Sequence, residues 1–303
     1  MTAASRPVPC TICRTYDAAA LYRPRLSPGP VVRCRRCGLV YVSPVERVER
    51  LAGESIDEKT GAIIDAAETP EYRALYLAEA AVKHRVYAET LDRVERAAGR
   101  VGTLLDIGSY MGLFLETARA RGWHARGIEP DRDAWTHATA TLGLDVCWGT
   151  LATCPQPAES FDAITMLQVL EHVPDPRQTL VDVRALLRPA GALVVEVPNI
   201  GCWPVRLLGR RHRHYAMHHF TFFELDTLAR LLEECGFEVQ SVAYPARHIS
   251  FRLFEWGLKS WHPGLHRLAG PVLGSQLLRD RVLRLNLGEV LSICARRIAP
   301  PAT

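Results

Sequence analysis

The chain has 303 residues, 48% of them apolar and 23% charged, with a formal net charge of +4. This describes a soluble globular chain with ample core material, and the charge is too small to imply nucleic acid by itself. No run of eighteen apolar residues occurs, so no membrane span is expected, and the opening MTAASRPVPC has no apolar signal core, so a cytoplasmic protein is expected.

Residues 1–45 carry Cys10-x-x-Cys13 and Cys34-x-x-Cys37, with Gly38 directly after the second pair. Each pair can present two thiolates from a tight turn, and four thiolates close a tetrahedral zinc site with no position left for water. Cys10, Cys13, Cys34 and Cys37 are therefore expected to hold a structural zinc that stabilises a small ribbon; redox or incidental cysteines are the alternative. The other five, Cys147, Cys154, Cys202, Cys235 and Cys294, are expected to pack as small apolar side chains, because disulfides are not expected in a chain without a signal peptide. Residues 46–99 read as a helical segment, RVERLAGESIDEK followed by EYRALYLAEAAVKHRVYAETLDRVERAAG. In the second stretch Leu75, Val82, Val86, Leu91 and Val94 recur at roughly helical spacing.

From Arg100 onward strand and helix patterns alternate. Strands are expected at 103–107, 124–129, 145–149, 161–167, 192–198, 238–243 and 289–296, and helices at 112–121, 132–142, 175–187 and 223–235. Such alternation implies parallel βαβ units in an α/β domain spanning 100–303. An apolar, arginine-bearing stretch at 246–287 interrupts it and reads as a helical insertion. Phe251, Phe254, Trp256, Leu258 and Trp261 give that insertion the character of a lid or a homodimer contact, with a peripheral membrane contact as the third reading.

The turn after the first of these strands reads Asp106-x-Gly108-x-x-x-Gly112. A dinucleotide fingerprint would place glycine first and rest a pyrophosphate on the following helix. An acid there disfavours phosphate and suits a ligand that is cationic on that side, an ammonium beside a sulfonium, as in S-adenosylmethionine (SAM). Glu129 ends the next strand in GIEPD, 21 residues after Gly108, where a carboxylate can accept from two ribose hydroxyls.

With LLDIGSYMG, GIEPD, FDAITMLQVLEHVPDP and LLRPAGALVVEVPN in this order, the chain resembles the class I SAM-dependent methyltransferases over about 100–245 and the final strand near 289–297. The resemblance implies a Rossmann-like seven-stranded sheet whose last strand is antiparallel. It implies Asp106, Gly108 and Gly112 at the methionine end of the cofactor, Glu129 with Pro130 at its ribose, Tyr110 in contact with it, and Gln168 at the methyl-transfer end. Many relatives carry an acid toward the adenine; here Thr150 and Leu151 stand at that place, so adenine contact must rely on backbone and apolar packing.

Beyond the fourth strand come Glu171 and His172, and His172 has the residue type of a base for an acceptor proton. After the fifth strand a long loop gathers His212, His214, His218 and His219 with Arg206, Arg210, Arg211 and Arg213. A metal is not expected at these histidines, since the spacing mixes faces and no acid joins them; a cationic rim for an anionic small-molecule acceptor fits better. Tyr215, His218 and His219 are expected to face the cofactor's methyl group, with Thr221 as N-cap of the next helix. The cysteine pairs together with this core resemble one subgroup, which includes sugar C-methyltransferases carrying a Tyr-x-Glu-His run. Here the run is Tyr215-Ala216-Met217-His218, with Met in place of Glu, and the chain stops before that subgroup's further α/β domain. Oxygen and carbon therefore stay open as the methylated atom, in a sugar, a lipid or a secondary metabolite. RNA methylation is the second reading. Against it, Arg33, Arg35 and Arg36 have no aromatic stacking run beside them, and LQVLEHVPD lacks the Asn/Asp-Pro-Pro-Tyr of base-amine enzymes. A non-catalytic SAM-binding or interaction module is the third.

Overall fold

A computed structural model describes residues 7–23, 29–45, 55–56, 63–64, 70–215, 219–261, 264, 267 and 281–298. The paired cysteines belong to an antiparallel sheet of β1 (Ala18–Tyr22), β2 (Val31–Cys34) and β3 (Val40–Val42). Between β2 and β3 the Cys34–Cys37 turn is closed by Gly38, which takes φ +81° and returns its N–H to the Cys34 carbonyl at 3.0 Å. Glycine adopts that left-handed conformation without steric cost.

Within the stretch expected to be helical, Ser55–Ile56 (β4) pairs antiparallel with Ile63–Ile64 (β5), in keeping with the strand preference of β-branched isoleucine; the rest of 46–69 lies outside the described residues. The helical part comprises α1 (Pro70–Ala78) and α2 (Ala80–Ala98). Helix α2 buries Thr90, Leu91, Val94 and Ala97, and stops where Gly99 turns left-handed at φ +72° and donates to the Glu95 carbonyl.

The main sheet follows in chain order: β6 (Thr103–Ile107), α3 (Leu113–Ala120), β7 (His124–Glu129), α4 (Arg132–Thr136), β8 (Asp145–Trp148), β9 (Phe161–Leu167), α5 (Pro176–Leu186), β10 (Leu187–Pro198), α6 (Trp203–Leu208), β11 (Thr221–Phe222), α7 (Leu225–Glu234), β12 (Phe237–Ala243), β13 (Arg247–Ser250), α8 (Phe251–Trp261), β14 (Val282–Leu285) and β15 (Val290–Arg297). Seven strands pair in the order β12-β15-β10-β9-β6-β7-β8, with β15 antiparallel to both neighbours. Strand order reverses between β6 and β9, so the carboxyl ends of those two strands flank the crevice where open α/β sheets take ligands. This is the Rossmann-like α/β fold that the alternation predicts.

One apolar layer joins Leu105, Ile107, Ile164 and Val195 of the sheet to Leu180, Leu228 and Leu231 of α5 and α7. The same cluster contains Cys10, Cys34, Leu39 and Tyr41, so the ribbon shares its core with the α/β domain. The opposite layer packs Leu91 and Val94 of α2 and Phe114 and Ala118 of α3 on Leu104, Ala163 and Val194.

Several expected elements differ. The helix at 132–142 is α4 continued by a π-type turn over His137–Thr141, within which Ala138 packs beside Gly112. Thr221 does not cap a helix: it lies in β11, and α7 is capped by Glu224, whose N–H donates to Thr227 Oγ1 at 3.1 Å in a capping box. The 246–287 insertion contains α8, but two strands, β13 and β14, pair antiparallel on either side of it. Cys147 and Cys154 do not pack as thiols; they form a disulfide with Cα atoms 6.1 Å apart, because the Thr153 and Cys154 N–H groups turn back onto the Thr150 carbonyl and bring Cys154 to the end of β8. Cys202, Cys235 and Cys294 are buried thiols, as expected.

Candidate functional site

Strand β6 delivers Asp106 to the carboxyl edge of the sheet, in register with Gly127 of β7 and Thr165 of β9. The side chain is buried, and Thr165 Oγ1 donates to Asp106 Oδ1 at 2.6 Å. Burial pushes its carboxyl up to about 7, although the Thr165 hydrogen bond works the other way. The chain then turns sharply. Gly108 takes φ +78°, and a Cβ there would lie 2.5 Å from Val169 Cγ2, so both the conformation and the space require glycine.

Tyr110 takes φ +48° and aims its N–H at Glu129 Oε2, 2.5 Å away, while the Asp131 N–H donates to Glu129 Oε1 at 2.8 Å. Glu129 is also buried, and burial raises its carboxyl to about 8 against those two backbone donors. Each carboxylate oxygen holds two lone-pair sites, so one site on each remains for another donor. Asp106, Gly108, Tyr110, Glu129, Pro130, Gln168 and His172 all line one cavity of about 610 Å³. That lies within the roughly 300–1,000 Å³ of pockets that enclose small ligands.

Gly112 is the exception among the expected cofactor residues. It is outside this lining, and a Cβ there would meet Leu144 Cδ1 at 2.6 Å and Ala138 Cβ at 3.0 Å. Its role is to let the start of α3 pack on the π-type turn, and its φ of +84° needs glycine as well.

The remaining walls come from elsewhere in the chain. Gly149, Thr150, Leu151 and Ala152, in the turn closed by the disulfide, form an apolar and backbone side. Tyr72, Tyr76, Lys83 and Tyr87 of α1 and α2 form the roof. Tyr76 packs edge-on against Tyr110 with ring centres 4.7 Å apart and shares a 2.7 Å hydrogen bond with the Tyr87 hydroxyl. Arg73 ties the roof down through Asp131 at 2.7 Å and through Asp133. Helix α8 leans on the roof as well, Trp256 lying 5.4 Å from Tyr72, and the side chain of Trp261 is outside the described residues. Sequence reasoning missed Thr165 and the roof. The roof had a signal, since Tyr72, Tyr76, Lys83 and Tyr87 fall on one face at helical spacing.

At the other end, His172 stands half-buried on the cavity wall. The buried His219 ring meets it edge-on at 4.6 Å. Glu171 is buried behind them, its Oε1 4.0 Å from His172 Nε2, and neither of its carboxylate oxygens has a hydrogen bond among the described residues. Burial pushes that carboxyl up to about 8, although its own backbone N–H works the other way.

Three expectations for the basic loop are corrected. Tyr215 is not at the cavity: it is buried against the ribbon, edge-on to Tyr22 at 4.8 Å and beside Phe222. His218 lies outside the described residues. Acids do join the histidines, Glu171 beside His172 and His219, and Glu289 beside His212 and His214. His212 Nδ1 accepts from the His214 N–H at 3.2 Å, and its Nε2 faces Glu289 Oε1 at 3.3 Å. That arrangement spends both ring nitrogens on internal partners, and burial pushes His214 down to about 4. Arg206, Arg210, Arg211 and Arg213 are all outside the cavity lining, which is acidic, with Asp106, Glu129, Asp131, Asp175 and Asp182 around Lys83. The cationic rim is therefore not formed around this cavity.

The four cysteines of the ribbon come together. Cys10 Sγ and Cys37 Sγ are 3.5 Å apart, and one sulfur from each of Cys10, Cys13, Cys34 and Cys37 lies within 4.8 Å of the others. No disulfide joins them. Four sulfur donors in this closed arrangement fit a tetrahedral zinc.

The profile of a family described as a methyltransferase domain matches residues 80–242. The ubiquinone biosynthesis O-methyltransferase of Aromatoleum aromaticum is 33% identical over 173 residues, which are 51% of this chain and 72% of that protein. The C-methyltransferase NovU of Streptomyces niveus is 28% identical over 224 residues, 72% of this chain and 48% of that protein. A crystal structure from Thermotoga maritima, described as a SAM-dependent methyltransferase and possible histamine N-methyltransferase, aligns with 75% of this chain and 97% of its own at 21% identity and a TM-score of 0.49.

Proposed function

The chain belongs to the methyltransferase-domain family and is a SAM-dependent methyltransferase, and from that premise we propose that it methylates oxygen or carbon of a small, uncharged acceptor whose proton is taken by His172. The observation that carries this reading is the gathering, in one cavity, of two buried carboxylates on adjacent strand ends with a histidine that lines the same cavity. Asp106, fixed by Thr165, accepts the ammonium of the cofactor. Glu129 offers one remaining acceptor site on each oxygen to the two ribose hydroxyls. Lys83 in the roof suits the cofactor's carboxylate, and Gly149–Ala152 supply the contact for adenine. When bound, SAM supplies an electrophilic methyl group on a sulfonium that is already a good leaving group.

What the protein adds is orientation, exclusion of water by the tyrosine roof, and a base. Alignment of the reacting groups is worth about 7–11 kcal/mol, and a positioned base about 10²–10⁴-fold. His172 is the base in this reading because it lines the cavity and imidazole is the side-chain type suited to taking up a proton from an acceptor. The acidic lining favours an acceptor that is neutral on arrival, such as a phenol, an enol or a sugar hydroxyl. Relatives named as an O-methyltransferase and a C-methyltransferase support both atoms as targets.

In the ribbon, Cys10, Cys13, Cys34 and Cys37 would hold a structural zinc. No helix among the described residues is long and apolar enough to cross a membrane. The test is a screen of phenols, sugar nucleotides and lipid-linked alcohols for SAM-dependent turnover, run with wild-type protein and His172→Ala. Turnover that is unchanged in His172→Ala removes the base from this reading; absence of S-adenosylhomocysteine binding removes the reading altogether.

A further inference from the structure

The cavity wall at His172 is held from outside the α/β domain. Strand β11 leaves that domain's loop and adds to the ribbon sheet as its fourth strand, pairing Thr221 with Tyr41 and Phe222 with Val40. Phe220, just before it, makes two backbone hydrogen bonds in opposite directions. Its carbonyl accepts from the Val42 N–H of the ribbon at 2.9 Å, and its own N–H donates to the Glu171 carbonyl at 2.8 Å. One residue thus bridges β3 and the turn that carries His172. We propose that Phe220 is a positioning residue, through which the cysteine ribbon fixes His172 and His219 at the wall of the cavity.

Three further observations support this. Among the described residues the Glu171 carboxylate has no hydrogen bond to another residue, and the backbone carbonyl of Glu171 is the tether to Phe220. His219 is bracketed between His172, 4.6 Å away, and Phe222, 5.9 Å away, so the β3–β11 pairing sets its ring as well. Arg177, at the start of the helix that follows His172, donates to the carbonyls of Thr11 at 2.6 Å and Ile12 at 3.1 Å in the first cysteine turn. The ribbon therefore grips both sides of the segment from Glu171 to Arg177. By contrast, among the described residues Asp106 and Glu129 are hydrogen-bonded within the α/β domain alone, so cofactor binding should not depend on this grip.

The proposal rests on His172 as the base only for its catalytic consequence; the positional claim is tested without an acceptor. Val42→Pro removes the N–H that reaches Phe220. It leaves the Ser43 N–H to the Pro30 carbonyl and the β2–β3 pairing in place, because the Val42 N–H points away from β2. Val42→Ala keeps the N–H and serves as the rescue variant. In zinc-replete Val42→Pro, amide exchange at Phe220 should accelerate about three- to tenfold, the effect of one lost hydrogen bond. The imidazole signals of His172 and His219 in proton–carbon spectra should move, and S-adenosylhomocysteine affinity should stay within about twofold, as for a distant site. Val42→Ala should restore both signals. Native His172 and His219 signals in Val42→Pro would overturn the proposal.

If Val42→Pro does not fold, the double variant Cys10→Ser/Cys37→Ser decides. Unprotected ribbon amides together with shifted histidine signals support the tether, and unprotected ribbon amides with native histidine signals refute it. Failure of the base reading looks different: His172→Ala would keep turnover while the spectral shifts in Val42→Pro persist.

Discussion

The two buried carboxylates make ligand affinity depend on pH, and Asp106 gives the sharper test. In the free protein burial holds its carboxyl at about 7, well above its ordinary 3.8, so near neutrality a proton stays on it. An ammonium binds only the ionised form. Between pH 5.5 and pH 7.0 the ionised fraction rises from about 3% to about half, so affinity should grow about fifteenfold, ~1.6 kcal/mol, through this group alone. The sign is fixed by the direction of the shift: the complex releases a proton that the free protein holds, and binding tightens as pH rises. The free fold runs the other way. Its stability from this raised group is complete below the unfolded pKa and is lost as pH rises through 7, so the ligand should raise the melting temperature more at pH 7.0 than at pH 5.5. Calorimetry with S-adenosylhomocysteine, in buffers of different ionisation enthalpy, reads both affinity and proton release. Glu129, raised to about 8, adds a slope of its own that Asp106→Asn leaves in place. The variant should bind more weakly and lose one proton's worth of dependence. Affinity in the wild type that is flat over this interval, or an Asp106→Asn slope equal to that of the wild type, would refute the assignment of the ammonium to Asp106.

Thr165→Val removes the 2.6 Å bond to Asp106 and should weaken S-adenosylhomocysteine binding at pH 7 about tenfold or more, the scale of a hydrogen bond to a charged group. His172→Ala should leave that affinity unchanged and lower turnover with a competent acceptor by about 10²–10⁴. Elemental analysis should find one zinc per chain, and Cys13→Ser should lose both the metal and the slow-exchanging amides of the ribbon. A reductant should lower the melting temperature of the wild type by several degrees, since closing so short a loop stabilises by about 2–3 kcal/mol; Cys147→Ser should already melt lower and ignore the reductant.

The α/β sheet was legible because strand-like runs alternate with stretches of helical period, and β6, β7 and β9 fall at the boundaries expected from that alternation. The carboxylates at the ends of β6 and β7 were legible for the same reason: a charged residue that closes a buried strand must meet something. The disulfide was not. It joins residues seven apart across a turn, and only the return of the chain at Thr150 brings them together. Thr165 was hidden as well, since a threonine inside a strand reads as a β-branched core residue until the neighbouring strand's register sets it opposite Asp106.

The residues around His172 show where a motif stops carrying information. Tyr215 and His219 lie four apart in one loop, and a reading by proximity in sequence sends both to the methyl group. The structure separates them: Tyr215 packs on Tyr22 of the ribbon, whereas His219, two residues before β11, stands against His172. A tyrosine with a large apolar ring and one hydroxyl is taken up by the apolar cluster of Tyr22, Val31 and Val40, whereas His219 is placed against His172. Gly112 makes the same point from the opposite side. Its glycine is required, but by Leu144 and Ala138 behind the turn and not by a ligand in front of it. A spacing pattern records that a side chain is forbidden there; which neighbour forbids it is decided by packing between segments far apart in the chain. Substituting Gly112 with alanine should therefore lower stability, whereas Asp106→Asn should lower binding without loss of fold, because the amide has no charge to desolvate in that buried place.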